Sequence, residues 1–198
     1  MKKRKGDLML RKDVERLLLD ISSNQKDHDQ AQQSMTALKE YIAIDPDMMR
    51  SFFDKIASYL YRKNVSVRIR ATSLLLELSS HLTDAQFDVI LPIILRQLES
   101  DSITVIGNLA TYIPKIIIKR PTIEEQILKK IMDIDKKKFK ARNWNIVKAS
   151  LIEAMDQFMD YSIHEEMIIK FIKQARLSTS PKTRKIANKV LKSRNLIE

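Results

Sequence analysis

The residues best placed to do chemistry in this chain are cations gathered beside its only tryptophan. The segment Lys136-Lys137-Lys138-Phe139-Lys140-Ala141-Arg142-Asn143-Trp144 interleaves basic side chains with two aromatic rings. Such a segment offers charge to a phosphate backbone and flat rings on which bases can stack. The alternative is a solvated basic loop whose Phe139 and Trp144 turn inward to plug a helical core. Lys115, Lys119 and Arg120 precede this run, Lys148 follows Trp144 by one turn, and Arg184 and Lys192 extend the basic set towards the C-terminus. Lys119 and Arg120 also stand where basic residues commonly close a helix without any ligand.

Other chemistries are poorly supplied. The chain has no Cys, so it has no thiol nucleophile, disulfide or cysteine-based metal site. Its 2 Gly cannot write a GxGxxG or Walker-type phosphate loop. Glu124-Glu125, Glu165-Glu166 and Asp133-Ile134-Asp135 are neighbours along a helix and do not face one point together, which makes them poor acid/base pairs. His164-Glu165-Glu166 lacks the second His of HExxH, and His28 between Asp27 and Asp29 sits where a helix start favours acids. The expectation is no catalytic residue, no metal and no cofactor.

Charge points to a partner. The 198 residues hold 36 Lys plus Arg against 25 Asp plus Glu, a net charge of +11. Residues 1–99 contribute 16 − 14 = +2 and residues 100–198 contribute 20 − 11 = +9. That asymmetry is a recognised hint of a polyanionic partner, and a Lys-rich solvated surface is the plain alternative. The basic start of MKKRKGDLML is followed by only Leu8-Met9-Leu10 before charges return, too short for a secretory segment. No window reaches the roughly 18 apolar residues of a membrane helix. A cytoplasmic protein with no membrane association is expected.

The elements that must carry these residues are helices. Met49, Phe52, Phe53, Ile56, Tyr59 and Leu60 form an i, i+3, i+4, i+7 stripe, and Val67, Ala71, Leu74, Leu75, Leu78 and Leu82 form another. Breaks at Asp45-Pro46-Asp47, Thr83-Asp84, Arg120-Pro121-Thr122 and Ser178-Thr179-Ser180-Pro181 divide the chain into ten predicted helices: 7–22, 28–44, 47–62, 65–82, 84–99, 102–118, 122–136, 141–159, 161–177 and 181–195. Thr122-Ile123-Glu124-Glu125 fits a capping box. Pro92 and Pro114 fall inside predicted helices, where each removes a backbone hydrogen bond. No linker is long enough to separate domains, so one domain over 1–198 is expected.

A period runs through the helices. Ser34, Ala71, Ala110, Ala149 and Ala187 are separated by 37, 39, 39 and 38 residues, and Ala37, Leu74, Ile113, Ile152 and Val190 follow each by three. Val67-Arg68-Ile69-Arg70-Ala71 reads VRxxA. Ser180-Pro181-Lys182-Thr183-Arg184-Lys185-Ile186-Ala187 reads xPxTRxxA and runs on to Val190-Leu191. These residues resemble the second-helix signature of HEAT repeats, in the armadillo/HEAT superfamily. Gly107 and Ile146 stand where the Arg would be in the third and fourth units.

The resemblance implies an all-α, right-handed α-α superhelix of about five helix pairs, at about 7–45, 46–83, 84–120, 121–159 and 160–198. First helices would lie on the convex side and second helices would line the concave side. It implies a binding role and no particular reaction. It also implies that Arg68 and Arg184, at one repeat position, form a structural ladder between repeats or contact an anionic ligand. Three functions follow: a scaffold for a protein partner, which is the main reading; a nucleic-acid-binding repeat protein using the basic C-terminal units; and an enzyme resembling the alkylpurine DNA glycosylases, for which Trp144, Tyr112 and Asp156 are the available groups.

Overall fold

The computed structural model describes residues 2–23, 28–134 and 139–197, with the side chains of 2–8 and of His28 outside that description. Among the described residues the protein is all-helical, with no strand. Twelve α-helices follow one another: α1 (Lys2–Ser22), α2 (His28–Ile44), α3 (Pro46–Arg50), α4 (Phe53–Ser58), α5 (Val65–Leu78), α6 (Asp84–Leu98), α7 (Ile103–Ala110), α8 (Ile113–Lys119), α9 (Glu124–Met132), α10 (Ala141–Phe158), α11 (Glu165–Ala175) and α12 (Pro181–Ser193). The chain gathers into two compact units, Met1–Asp88 and Val89–Glu198. No helix of the described residues is long and apolar enough to cross a membrane.

Helix starts obey local chemistry. Asp45 accepts the Met48 backbone N–H at 2.9 Å, with Pro46 in the first turn of α3. Thr83 and Gln86 cap α6 reciprocally: the Thr83 Oγ1 accepts the Gln86 backbone N–H at 3.3 Å, and the Gln86 Oε1 accepts the Thr83 backbone N–H at 3.2 Å. Asn64 caps α5 by accepting from the Ser66 and Val67 backbone N–H groups, and Ser180 caps α12 by accepting from that of Thr183.

Two predicted helices are broken. The 47–62 stretch divides at Ser51–Phe52, where Ser51 donates its backbone N–H and its hydroxyl to the last carbonyls of α3. The 102–118 stretch divides at Thr111–Tyr112, so Pro114 stands in the first turn of α8 and not in a helix interior. In an uninterrupted helix its ring would press on the Ala110 carbonyl; in a first turn its missing N–H costs nothing. Pro92 does remain inside α6. The capping box expected at Thr122 is absent: a short 3-10 turn, Pro121–Ile123, precedes α9 and neither start has a side-chain cap.

Each unit has its own apolar centre. In the first, α1 packs on α2, and α5 packs on α2 and α4, burying Leu18, Ile21, Leu38, Ile56 and Leu74. In the second, α10 is the hub, packing on α7, α8 and α12 and burying Val147, Leu151, Ile152 and Phe158. Each such side chain fully removed from water contributes about 1.5–3 kcal/mol. The five small residues at the 37–39-residue spacing are all buried, which lets neighbouring helices approach closely at each.

Candidate functional site

The first turn of α10 positions the aromatic and cationic groups of the basic segment. Lys140 is extended (φ −60°, ψ 146°), and its carbonyl accepts the backbone N–H groups of Asn143 and Trp144 at 2.9 and 3.0 Å. Phe139 is buried, and its ring centroid lies 6.0 Å from that of Trp144 with the planes tilted by 36°. Trp144 itself is half-buried, while Lys140 and Arg142 are exposed. Phe139 is therefore the inward plug, and Trp144 keeps part of its ring at the surface beside two cations. Lys137 and Lys138, with Lys136, lie outside the described residues.

Asn145 joins this turn to the entry of α12. Its Oδ1 accepts from the Ser178 hydroxyl at 2.7 Å, its Nδ2 donates to the Thr179 Oγ1 at 3.4 Å, and its backbone carbonyl accepts from the Thr183 hydroxyl at 3.1 Å. Thr183 is fully buried, so that last bond satisfies a hydroxyl which water cannot reach. Arg184 donates to the Ser178 carbonyl at 2.7 Å. One turn along α10, the Lys148 ammonium lies 5.5 Å from the centre of the Phe171 ring, a cation–π contact. Lys140, Arg142, Trp144, Lys148 and Arg184 thus belong to one corner of the second unit.

The remaining predicted residues lie elsewhere in that unit. Lys115 and Lys119 are exposed on α8, with the Lys115 ammonium 5.9 Å from the centre of the Tyr112 ring. Arg120 is buried and closes α8, donating its backbone N–H to the Ile116 carbonyl at 2.8 Å. Lys192 is exposed eight residues beyond Arg184, about 12 Å along the helix at 1.5 Å per residue. Beside it Arg194 donates its Nε to the Asp156 carboxylate at 2.7 Å, one guanidinium nitrogen to the Asp156 carbonyl at 2.6 Å, and another to the Asp160 carboxylate. The bond to Asp160 raises the Arg194 pKa above its ordinary value; burial opposes the shift and Asp156 adds to it. Asp156 is thereby committed to an ion pair, and Tyr112 is buried.

The polar residues that tie these helices were not apparent as a set from composition: Asn145, Ser178 and Thr183 at the corner, Arg194 at the far ends of α10 and α12, and Glu124 at the start of α9. Their signal is an interval. The bonds Asn145–Thr183, Asp156–Arg194 and Glu124–Ser162 each span 38 residues, the separation of Ala149 and Ala187. The carboxylate of Glu124, fully buried, also accepts the Ile163 backbone N–H at 3.2 Å. Because the early part of α10 meets the start of α12 and its end meets the end of α12, the two helices run parallel. Arg68 in the first unit repeats the behaviour of Arg184. It donates to the carbonyls of Arg62 and Lys63, both at 2.9 Å, so each Arg holds the carbonyl six residues before it. Both Arg bonds fall within the turn that leads into the residue's own helix.

Among the described residues no three His, Asp or Glu side chains converge on a point that could hold a metal. No protein-family model matches the chain, and no curated protein matches its sequence.

Proposed function

We propose that the chain is a non-enzymatic scaffold built from HEAT-like helix pairs in a right-handed α-α superhelix. Its role in this reading is to bind a protein partner through the concave side or the basic surface of its C-terminal half. The carrying observation is the shared 38-residue interval of the three polar bonds Glu124–Ser162, Asn145–Thr183 and Asp156–Arg194. A chain whose successive units are displaced copies of one another makes its contacts at a constant offset, and that is how stacked repeats bury a continuous core. The buried small residues at intervals of 37–39 support the same reading, as does the parallel run of α10 and α12.

A second reading, binding of single-stranded nucleic acid, is favoured by one observation: Trp144 is half-buried on the same first turn of α10 as the exposed Lys140 and Arg142. The two readings separate in one experiment. Fluorescence anisotropy with single-stranded and duplex oligonucleotides is measured from low salt to ~0.15 M, for the natural chain and for Lys140→Glu/Arg142→Glu. The scaffold reading expects weak binding, insensitive to the substitutions. A steep fall of affinity with salt, flattened by the charge reversal, would establish nucleic-acid binding instead, because each neutralised phosphate releases counterions.

A further inference from the structure

We infer that the turn entering α5 is a docking surface for an acidic, apolar segment of a partner protein. This goes beyond the scaffold reading, whose candidate residues all lie in Val89–Glu198. Tyr61, Val65 and Ile69 are spaced four and four apart and are 83%, 57% and 56% exposed. Val65 and Ile69 share one face of α5, and Tyr61 ends the 3-10 turn Tyr59–Tyr61 that packs against that helix. Single exposed apolar residues are ordinary on a protein surface; three large ones close together in the chain, two of them on one helix face, suit an interaction site.

The charge around the stripe selects the occupant. Residues 55–76 contain Lys55, Arg62, Lys63, Arg68 and Arg70 and no Asp or Glu. Three of these cations are already held in place, Arg70 among them by donating to the Ile21 carbonyl at 3.2 Å. Arg68 folds back onto the Arg62 and Lys63 carbonyls, and the Arg62 guanidinium lies 6.0 Å from the centre of the Tyr59 ring. Side chains that are already fixed lose little freedom when a ligand arrives. An apolar stripe rimmed by fixed positive charge complements a segment with Leu or aromatic anchors flanked by Asp and Glu. Nucleic acid fits less well, because Val65 and Ile69 offer no flat face for stacking. A membrane surface fits less well, because the stripe has no Trp, Phe or Leu to insert.

The test pans a display library of randomised linear peptides against the full chain, then measures the enriched peptides against two variants. One is Tyr61→Ser/Ile69→Ser and the other is Arg62→Glu/Lys63→Glu. These side chains are exposed, so circular dichroism and melting should match the natural chain. The expected result is enrichment of acidic peptides carrying Leu, Phe or Trp, with affinity reduced about tenfold or more by each variant and unchanged by Lys140→Glu/Arg142→Glu. That last control separates this surface from the C-terminal one, so either can fail without the other. The inference is overturned if no acidic peptide enriches, or if those that do bind both variants as tightly as the natural chain. It is equally overturned if the Arg62→Glu/Lys63→Glu chain loses binding only to a single-stranded oligonucleotide or to phosphatidylglycerol vesicles.

Discussion

The turn that leads into α5 and the turn that leads into α12 are two versions of one device. Each ends in a polar N-cap, Asn64 or Ser180, and each is drawn together by an Arg four residues later that grips the carbonyl six residues back. Each presents a large apolar residue at its tip, Tyr61 at 83% exposure and Leu177 at 87%. They differ beneath the tip. The α12 turn is tied to α10 through Asn145, and the buried residue four before the small one is Thr183, whose hydroxyl is satisfied by the Asn145 carbonyl. At the corresponding place in α5 stands Val67, equally buried and wholly apolar. The comparison teaches that one backbone arrangement can be seated by either of two means. Apolar packing needs only shape, whereas the hydrogen-bonded version demands that two helices meet in one register.

The comparison can be broken most forcefully where the turns agree. Ala71→Leu and Ala187→Leu should each lower stability by about 2–3 kcal/mol, read by urea denaturation, because both positions are fully buried at a close helix approach. Should either enlarged side chain be tolerated without loss, the small residue would not be what admits the neighbouring helix there. Next in size is the reciprocal exchange at the point of difference. Val67→Thr places a hydroxyl in an apolar site and should cost about 1–2 kcal/mol, while Thr183→Val should cost less, since the Asn145 carbonyl keeps its place within α10. Equal costs would erase the distinction between the two seats.

Asn145→Ala removes both side-chain ties to the α12 turn and should lower stability by about 1 kcal/mol, with faster amide exchange confined to residues 178–184. Smaller still, Arg184→Met should cost more than Arg68→Met, each on the order of 1 kcal/mol or below, because the Ser178 carbonyl bond is part-buried and those of Arg68 are exposed. The least effect is expected at Glu125, whose carboxyl is held below its ordinary 4.5 by the hydrogen bond and charge of Lys129. A depressed carboxyl contributes at neutral pH and loses that contribution as pH falls through its folded value. Lys129→Met should therefore return the Glu125 NMR titration midpoint upward with no measurable change in melting, in contrast to Glu124→Ala on the same turn, where a fully buried side chain loses its bonds to Ser162 and the Ile163 backbone N–H.

Much of the helical framework was legible in the sequence. The stripe that begins at Val67 runs through α5, the stripe that begins at Met49 is shared between α3 and α4, and caps form at the breaks marked by Asp45, Thr83 and Ser180. The breaks were harder. A Pro at the second position of a new helix reads like a Pro inside an old one, so nothing in the sequence distinguishes the division at Thr111–Tyr112, which places Pro114 at the start of α8. The Thr122 box failed for a different reason: its motif residues are there, but Thr122 lies inside the 3-10 turn Pro121–Ile123 and the Glu125 carboxylate pairs with Lys129 at 2.7 Å, one turn on. The site was legible as charge and not as geometry. Composition put Arg120 with the surface cations, and burial removes it from them. Asn145 carried no local signal, since an Asn inside a helix gives no sign that its partners lie more than thirty residues on.

The parallel run of α10 and α12 has an electrical consequence. A helix behaves as though it carried roughly half a positive charge at its N-terminus and half a negative charge at its C-terminus. Antiparallel neighbours cancel these poles; parallel neighbours, pinned at both ends by bonds of the same span, add them. The two positive poles therefore lie together at the Trp144 corner, where Lys140 and Arg142 reinforce them. The two negative poles lie together at the other end, where the Arg194 guanidinium is set between Asp156 and Asp160. This helix pair has a direction in the electrostatic sense, and an approaching anion meets its attractive end at Trp144.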